Sequence, residues 1–443
     1  MKKCISLMLS AAIVVVSNSR VFADETPALI YAADPQHLWN RLHSALWDRV
    51  GPDGRIYGRD RLDPLLWYQT RHLLEGPSRD AALELLREFL DSHGETLIDD
   101  PLKRALLQRD LWAIFDWLAN PHADENYNPI GEEAQGLLRR PLAQVIERLA
   151  LDAETIDTLP DMYAAAVASG EFPGAFDPAQ PQASFLPPDL FDPDGPWVCI
   201  GRNGSDIIVP AHTESFSRSS FQVFLNLPEG REATTEYLNA LSSFKEPFRL
   251  EPLSDGRFVK RTNPALPQFS DGTQVALVRS ALLIDSRLHL RPTNLIESVQ
   301  LRVFRDARSK ENYEFTLSRA LLIAGTAGGL HAVAIDERDF LTSINPHSAD
   351  EFELSRNATG EGLDRRMHVV RQRCNSCHRE PGVHSFNTFV GGFSPPELLP
   401  SLSDTGTTER GETAAIKYKQ TRYDWGLLEG LLINAHESAS PRP

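Results

Sequence analysis

"QVALVRSALLIDSRLHLRPTNLIESVQLRVFR" (residues 274–305) holds two long runs of Val, Leu, Ile and Phe. The segment between them, 283–293, is broken by Asp285, Ser286, Arg287 and Pro292. Runs rich in β-branched and apolar residues, joined by a polar turn, read as paired strands. This segment therefore suggests a hairpin or two strands joined by a polar turn. Outward from it, "WVCIG" (197–201), "SFQVFLNL" (220–227) and "HAVAI" (331–335) have the same texture, and Pro, Gly, Asp and Asn separate them. "TTEYLNALSSF" (234–244) breaks the series with helical spacing. The expectation for 197–350 is a mainly antiparallel, strand-rich α+β region. Cys199 lies in the first run and reads as a lone buried thiol.

Residues 24–170 read differently, as a helical domain. Asp34-Pro35 has the form of a helix start, a capping carboxylate followed by proline. Leu38, Leu42 and Leu46 then recur four apart. "SRDAALELLREFLDSHG" (78–94) suggests a helix capped by Ser78, with Leu83, Leu86 and Leu90 on one face and Gly94 at its end. "PLKRALLQRDLWAIFDWLANP" (101–121) places Leu107, Leu111, Ile114 and Leu118 on one stripe. Residues 139–151 and 161–169 continue the pattern. The tryptophans of this region read as core anchors. Between the two regions, 171–196 is dense in Pro and Asp and predicts an extended connection. Its phenylalanines would pack it down. No internal repeat appears. Neither "GRNGSDII" nor "AGTAGGLH" has a phosphate-binding spacing.

The 443 residues carry a formal charge of −16. Such an acidic balance argues against nucleic-acid binding. At the N-terminus, Lys2 and Lys3 precede an apolar run from Ile5 to Val16, and Val21-Phe22-Ala23 follows it. This pattern predicts a signal peptide over 1–23, hence a periplasmic or secreted protein. No later run has the length of a membrane span, so no integral membrane segment is expected after signal removal. Of the four cysteines, Cys4 would leave with the signal. Cys199, Cys374 and Cys377 remain, too few for a disulfide framework.

Two of those three stand in "RQRCNSCHRE" (371–380), where Cys374 and Cys377 directly precede His378. C-x-x-C-H is the spacing of covalent haem attachment. Two sulfurs three positions apart reach the two vinyl groups of one porphyrin, and the next histidine reaches the iron. With this composition, chance placement produces the pentapeptide in roughly one chain in a thousand, so the match is informative. Two other chemistries use such residues. One is a disulfide or redox dithiol, for which the sequence shows no βαβ setting. The other is a zinc site with His384 as a further ligand, for which no second CxxC is present.

Within a C-terminal segment 351–443, residues 362–443 resemble a small c-type cytochrome domain. "GLDRRMHVVRQRCNSCH" (362–378) is similar to the first helix of such a domain leading into its haem motif, and "DWGLLEGLLINAH" (424–436) to its closing helix, with Trp425, Leu428 and Leu432 on one face. The resemblance covers less than a fifth of the chain. It implies covalent haem c with its iron, Cys374 and Cys377 as attachment points, and His378 as proximal ligand.

One departure concerns the far side of the iron. These cytochromes usually place a methionine there from well downstream, and no Met follows His378. Met367 lies too near Cys374 in sequence, and Met162 would have to come from the helical region. His436 is the downstream candidate for a distal ligand. His384, His331, His347 and His368 are further possibilities, and an open site is another. The expected fold is thus α+β: an N-terminal helical region, a central antiparallel β region and a small helical cytochrome c-like segment. The expected function is an exported monohaem c-type protein carrying electrons to or from a redox partner protein or a small-molecule oxidant or reductant. A haem peroxidase or oxidase with an open iron position is one alternative. A secreted structural or binding protein with a Cys374–Cys377 disulfide is another.

Overall fold

The structure is a computed structural model. It describes residues 29–51, 54–63, 72–120, 131–202, 207–246, 248–306, 309–340, 367–372, 378, 382–387, 402–404 and 409–439. The expected signal peptide lies outside them.

The first part is helical: α1 (Leu38–Trp47), α2 (Pro77–Asp91), α3 (Pro101–Ala119), α4 (Glu132–Leu149), α5 (Ala153–Asp157) and α6 (Met162–Ser169). Where the sequence carries a sharp start signal, the boundaries follow it. Asp100 accepts from the N–H groups of Leu102 and Lys103 at the head of α3, with Pro101 behind it. Asp152 and Asp161 cap α5 and α6 in the same way.

Two expected starts fail. Helix α1 begins at Leu38, capped by the His37 ring, because Asp34 is spent on a turn. Its side chain accepts from the Gln36 N–H and its carbonyl from the Asn40 side chain. Helix α2 takes Gly76 as its cap, and Ser78 Oγ instead accepts from the Leu73 N–H. Its helical residues end at Asp91, before Gly94. Gly94 serves a close approach: a Cβ there would lie 2.6 Å from the Phe89 ring. Helix α4 starts several residues earlier than expected, at Glu132.

Six strands form the body of the described sheet. They are β1 (Val198–Arg202), β2 (Ser219–Asn226), β3 (Gln274–Ile284), β4 (Leu290–Phe304), β5 (Lys310–Leu317) and β6 (Leu330–Ala332). Their order is β6-β5-β4-β3-β2-β1, and a three-residue strand β7 (Leu402–Asp404) extends the β1 edge. Every pairing in the sheet is antiparallel. The hairpin β3–β4 forms as expected, with Ile284 opposite Leu290 and a register shift around Ser280. Two helices interrupt the strand series: α7 (Pro210–Ser215) between β1 and β2, and α8 (Arg231–Ser243) after β2. Helix α9 (Arg319–Ile323) follows β5.

Both faces of the sheet are covered, which explains why its strands read as near-continuous apolar runs. One face joins an apolar cluster that draws on α1–α4, on Phe224, Ala276, Val278, Val299 and Phe315, and on the closing helix. The other face, with Val198, Ile200, Val223, Leu225, Val275 and Phe304, packs on α8 and on Leu266, Phe269 and Val383. Residues 171–196 hold no helix or strand, and their rings anchor them. Phe172 meets Phe315 edge-on at 5.0 Å, Phe185 meets Tyr313 at 5.2 Å, and Phe191 meets Phe224 at 5.2 Å.

Among the described residues, three later helices follow: α10 (Gly382–Asn387), α11 (Glu409–Gln420) and α12 (Tyr423–Ala439). On α12, Trp425, Leu428 and Leu432 are buried. They enter the first cluster, where the Trp425 ring lies 6.1 Å from that of Trp112 on α3. The helix expected to lead into the pentapeptide is partly replaced. Met367–Val369 pairs as a strand with Arg338–Phe340, and the Val370 N–H donates to the Glu337 carbonyl. No helix of the described residues is long and apolar enough to cross a membrane.

Candidate functional site

Cys374 and Cys377 lie outside the described residues. His378 is described, and the chain on either side of it is fastened to the sheet. Before it, Arg371 donates from Nε to the Asn312 carbonyl of β5 at 2.7 Å, and its guanidinium lies 4.7 Å from the centre of the Tyr313 ring. At the residue itself, Lys310 Nζ, at the start of β5, donates to the His378 carbonyl. After it, Val383 is buried in the second apolar cluster, and its N–H donates to Gln268 Oε1 at 3.3 Å.

The His378 ring is fixed by one hydrogen bond, between Nδ1 and the Ser385 carbonyl at 2.6 Å. A carbonyl oxygen only accepts, so Nδ1 carries the proton. In a neutral imidazole, Nε2 then keeps its lone pair. Burial drives this ring down to about 3, and the Arg302 charge adds to the shift. His378 is therefore neutral at ordinary pH. A half-buried imidazole with its Nδ1 proton held by a backbone carbonyl is in a state that suits a metal-ligating histidine. On this chemistry the residue fits the role of haem ligand.

A second imidazole stands beside it. His212, on α7, has its ring centre 6.4 Å from that of His378, and the two planes are 15° from parallel. Burial drives His212 down to about 4, with Arg302 and Arg279 contributing. Among the described residues, neither of its ring nitrogens has a hydrogen-bond partner. The ring is held from below. Pro210 opens α7, the Thr213 N–H donates to the Val209 carbonyl, and the Phe221 ring of β2 lies 6.0 Å from the imidazole.

The other histidines considered from sequence take different places. His384 is buried within α10. His331 pairs with Glu337 at 3.0 Å, and His368 is exposed on its short strand. His347 lies outside the described residues, as does the side chain of His436, whose backbone belongs to α12. Met162 is buried in the core, where its sulfur accepts from the Ile296 N–H. Cys199 is a half-buried thiol on β1. Sequence reasoning missed His212. Nothing local marks it among thirteen histidines, and only the chain path from α7 to the sheet brings it to His378.

A separate polar cluster lies between α3 and the sheet. Arg109 meets Glu297 at 2.5 Å and Asp63 at 3.1 Å. Arg279 meets Glu297 at 2.7 Å, and Arg319 meets Asp110 at 2.6 Å. Lys419 of α11 joins Asp116 of α3, at 2.7 Å, to Asp424 of α12, at 3.0 Å. Burial alone would raise Glu297, but Arg109 and Arg279 hold its carboxyl at about 2. Burial raises Asp116 to about 7 against the pull of Lys419.

No family model, no curated protein and no solved structure matches the chain. The site must therefore be read on its own chemistry.

Proposed function

We propose that the chain is an exported c-type haem protein that passes single electrons to or from a redox partner. In this reading Cys374 and Cys377 hold the porphyrin through thioether bonds, His378 binds the iron, and 351–443 serves as the cytochrome c-like segment. The observation that carries it is the state of His378. It directly follows C-x-x-C, is half-buried, and its Nδ1 proton is committed to Ser385, which leaves Nε2 for a metal. A bound haem would supply a one-electron iron couple.

The residues around it do the rest. Arg371, Lys310 and Val383 fasten the segment to a sheet packed on both faces, so little has to move when the charge on the metal changes. Arg302, whose charge bears on both imidazoles, disfavours a positive centre and so favours the reduced form.

The test uses full-length protein matured in a host that exports it and attaches haem. The expected result is a pyridine haemochrome spectrum of the c type. The peptide carrying Cys374 and Cys377 should also gain a mass of about 616 Da. A fully matured, exported protein without that mass, holding a Cys374–Cys377 disulfide instead, would overturn the proposal in favour of a structural or binding role. The enzyme alternative shares His378 and differs only in whether the opposite face of the iron is open.

A further inference from the structure

We propose that His212 is the second axial ligand of the iron, so that the haem is closed on both faces by imidazoles from two distant stretches of chain. This inference rests on the haem reading of the pentapeptide and goes further by naming the residue opposite His378. Three observations meet in it.

The first is distance. A metal–imidazole bond is about 2.0 Å long, and the nitrogen lies about 1.1 Å from its ring centre, so two imidazoles on opposite sides of one ion have centres about 6.2 Å apart. The observed separation is 6.4 Å, with the planes within 15° of parallel. The second is hydrogen bonding. His378 spends Nδ1 on Ser385 and keeps Nε2, while the ring nitrogens of His212 have no partner among the described residues. His212 is half-buried, so its ring nitrogens are open to an incoming group. The third is support. Pro210, the Val209–Thr213 bond and the Phe221 ring fix α7 without using the imidazole. The ring is held in place and its nitrogens are left for another group.

A methionine is then not needed, which accounts for the absence of Met after His378. An imidazole on the second face also lowers the potential relative to a methionine there, and it denies small oxidants an open coordination position. That favours electron transfer over peroxide or oxygen activation at the same centre.

The experiment uses the exported full-length protein, with haem content first established by the pyridine haemochrome. The wild type is expected to be six-coordinate and low-spin in both oxidation states, with no carbon monoxide adduct on the reduced form. His212→Ala should keep its covalent haem, turn high-spin, bind carbon monoxide, and regain the low-spin spectrum when imidazole is added. His212→Met should remain low-spin with a higher midpoint potential, and it carries the test if the alanine variant does not accumulate. A haem-loaded His212→Ala with an unchanged low-spin spectrum would overturn the assignment while leaving the haem reading intact. The same spectrum lost in His436→Ala would transfer the ligand to His436. A haem-loaded wild type that is high-spin and binds carbon monoxide would overturn it in favour of an open site. Matured protein without haem would remove the reading on which the assignment stands.

Discussion

Two buried polar regions of this protein follow opposite rules. Around α3, cations and carboxylates are brought together and meet one another: Arg109 with Glu297, Arg319 with Asp110, Lys419 with Asp116. Around His378, two imidazoles stand side by side, and desolvation, helped by the Arg302 charge, suppresses their protonation. The first region pairs its charges with one another, although Asp116 Oδ1 and Arg319 Nη1 lie buried without a hydrogen-bond partner among the described residues. It ties α3, α9, α11 and the sheet into one interior. The second leaves ligating nitrogens uncommitted. The difference teaches how to tell structure from site inside a protein: in the first region the charges are answered by opposite charges, and in the second two neutral rings stand side by side with no such partner.

The largest effect expected on this contrast comes from the attachment residues. Cys374→Ala with Cys377→Ala should abolish covalent haem, read as complete loss of haemochrome absorbance after denaturation. The ion cluster should be left alone, so the denaturant midpoint of the haem-free variant should match that of wild-type apoprotein. A shared loss of both would show that the two regions are not independent.

Breaking the cluster should do the reverse. Glu297→Ala strands Arg109 and Arg279 in the interior and should cost about 3–5 kcal/mol, measured by urea unfolding. The fraction that remains folded should keep the wild-type haem spectrum.

Proton linkage sharpens the same point. Folded Glu297 titrates at about 2 against an ordinary 4.5, so below 4.5 the unfolded chain takes up its proton more readily. The stability due to this group is present above that value and is lost as pH falls towards 2. In Glu297→Gln the acid-side slope of unfolding free energy against pH should flatten by up to about 1.4 kcal/mol per pH unit.

Smaller effects concern the mounting of each region. Arg371→Ala removes charge-assisted bonds to β5 and should cost about 1–3 kcal/mol. Its signature should be faster proteolysis between 370 and 390 than elsewhere. Asp100→Ala removes the cap of α3 and should cost about 0.5–2 kcal/mol, with no change in haem content.

How much of this was legible beforehand depends on the range of the interaction. The hairpin 274–305 could be read because alternation and turn chemistry lie within neighbouring residues. Helix α3 was read as a helix, but not as a buried one. "RDLWAIFDW" looks like an apolar stripe with a charged solvent face, yet Arg109, Asp110 and Asp116 are all buried. Their partners come from elsewhere, Arg319 from 209 positions beyond Asp110, and no local pattern announces them. The starts of α1 and α2 were misplaced because Asp34 and Ser78 cap turns of their own chain in preference to the helix.

The sequence by itself determined the strand hairpin, the helical texture of the first part and the pentapeptide Cys374-Asn375-Ser376-Cys377-His378. In each, the deciding groups are a few bonds apart and must meet in any fold. The tertiary structure alone decided that His212 stands 6.4 Å from His378 and that Glu297 lies between Arg109 and Arg279. Those encounters depend on how an antiparallel sheet brings α7, β3, β4 and α3 together, and contacts across such separations leave no trace in the spacing of residues along the chain.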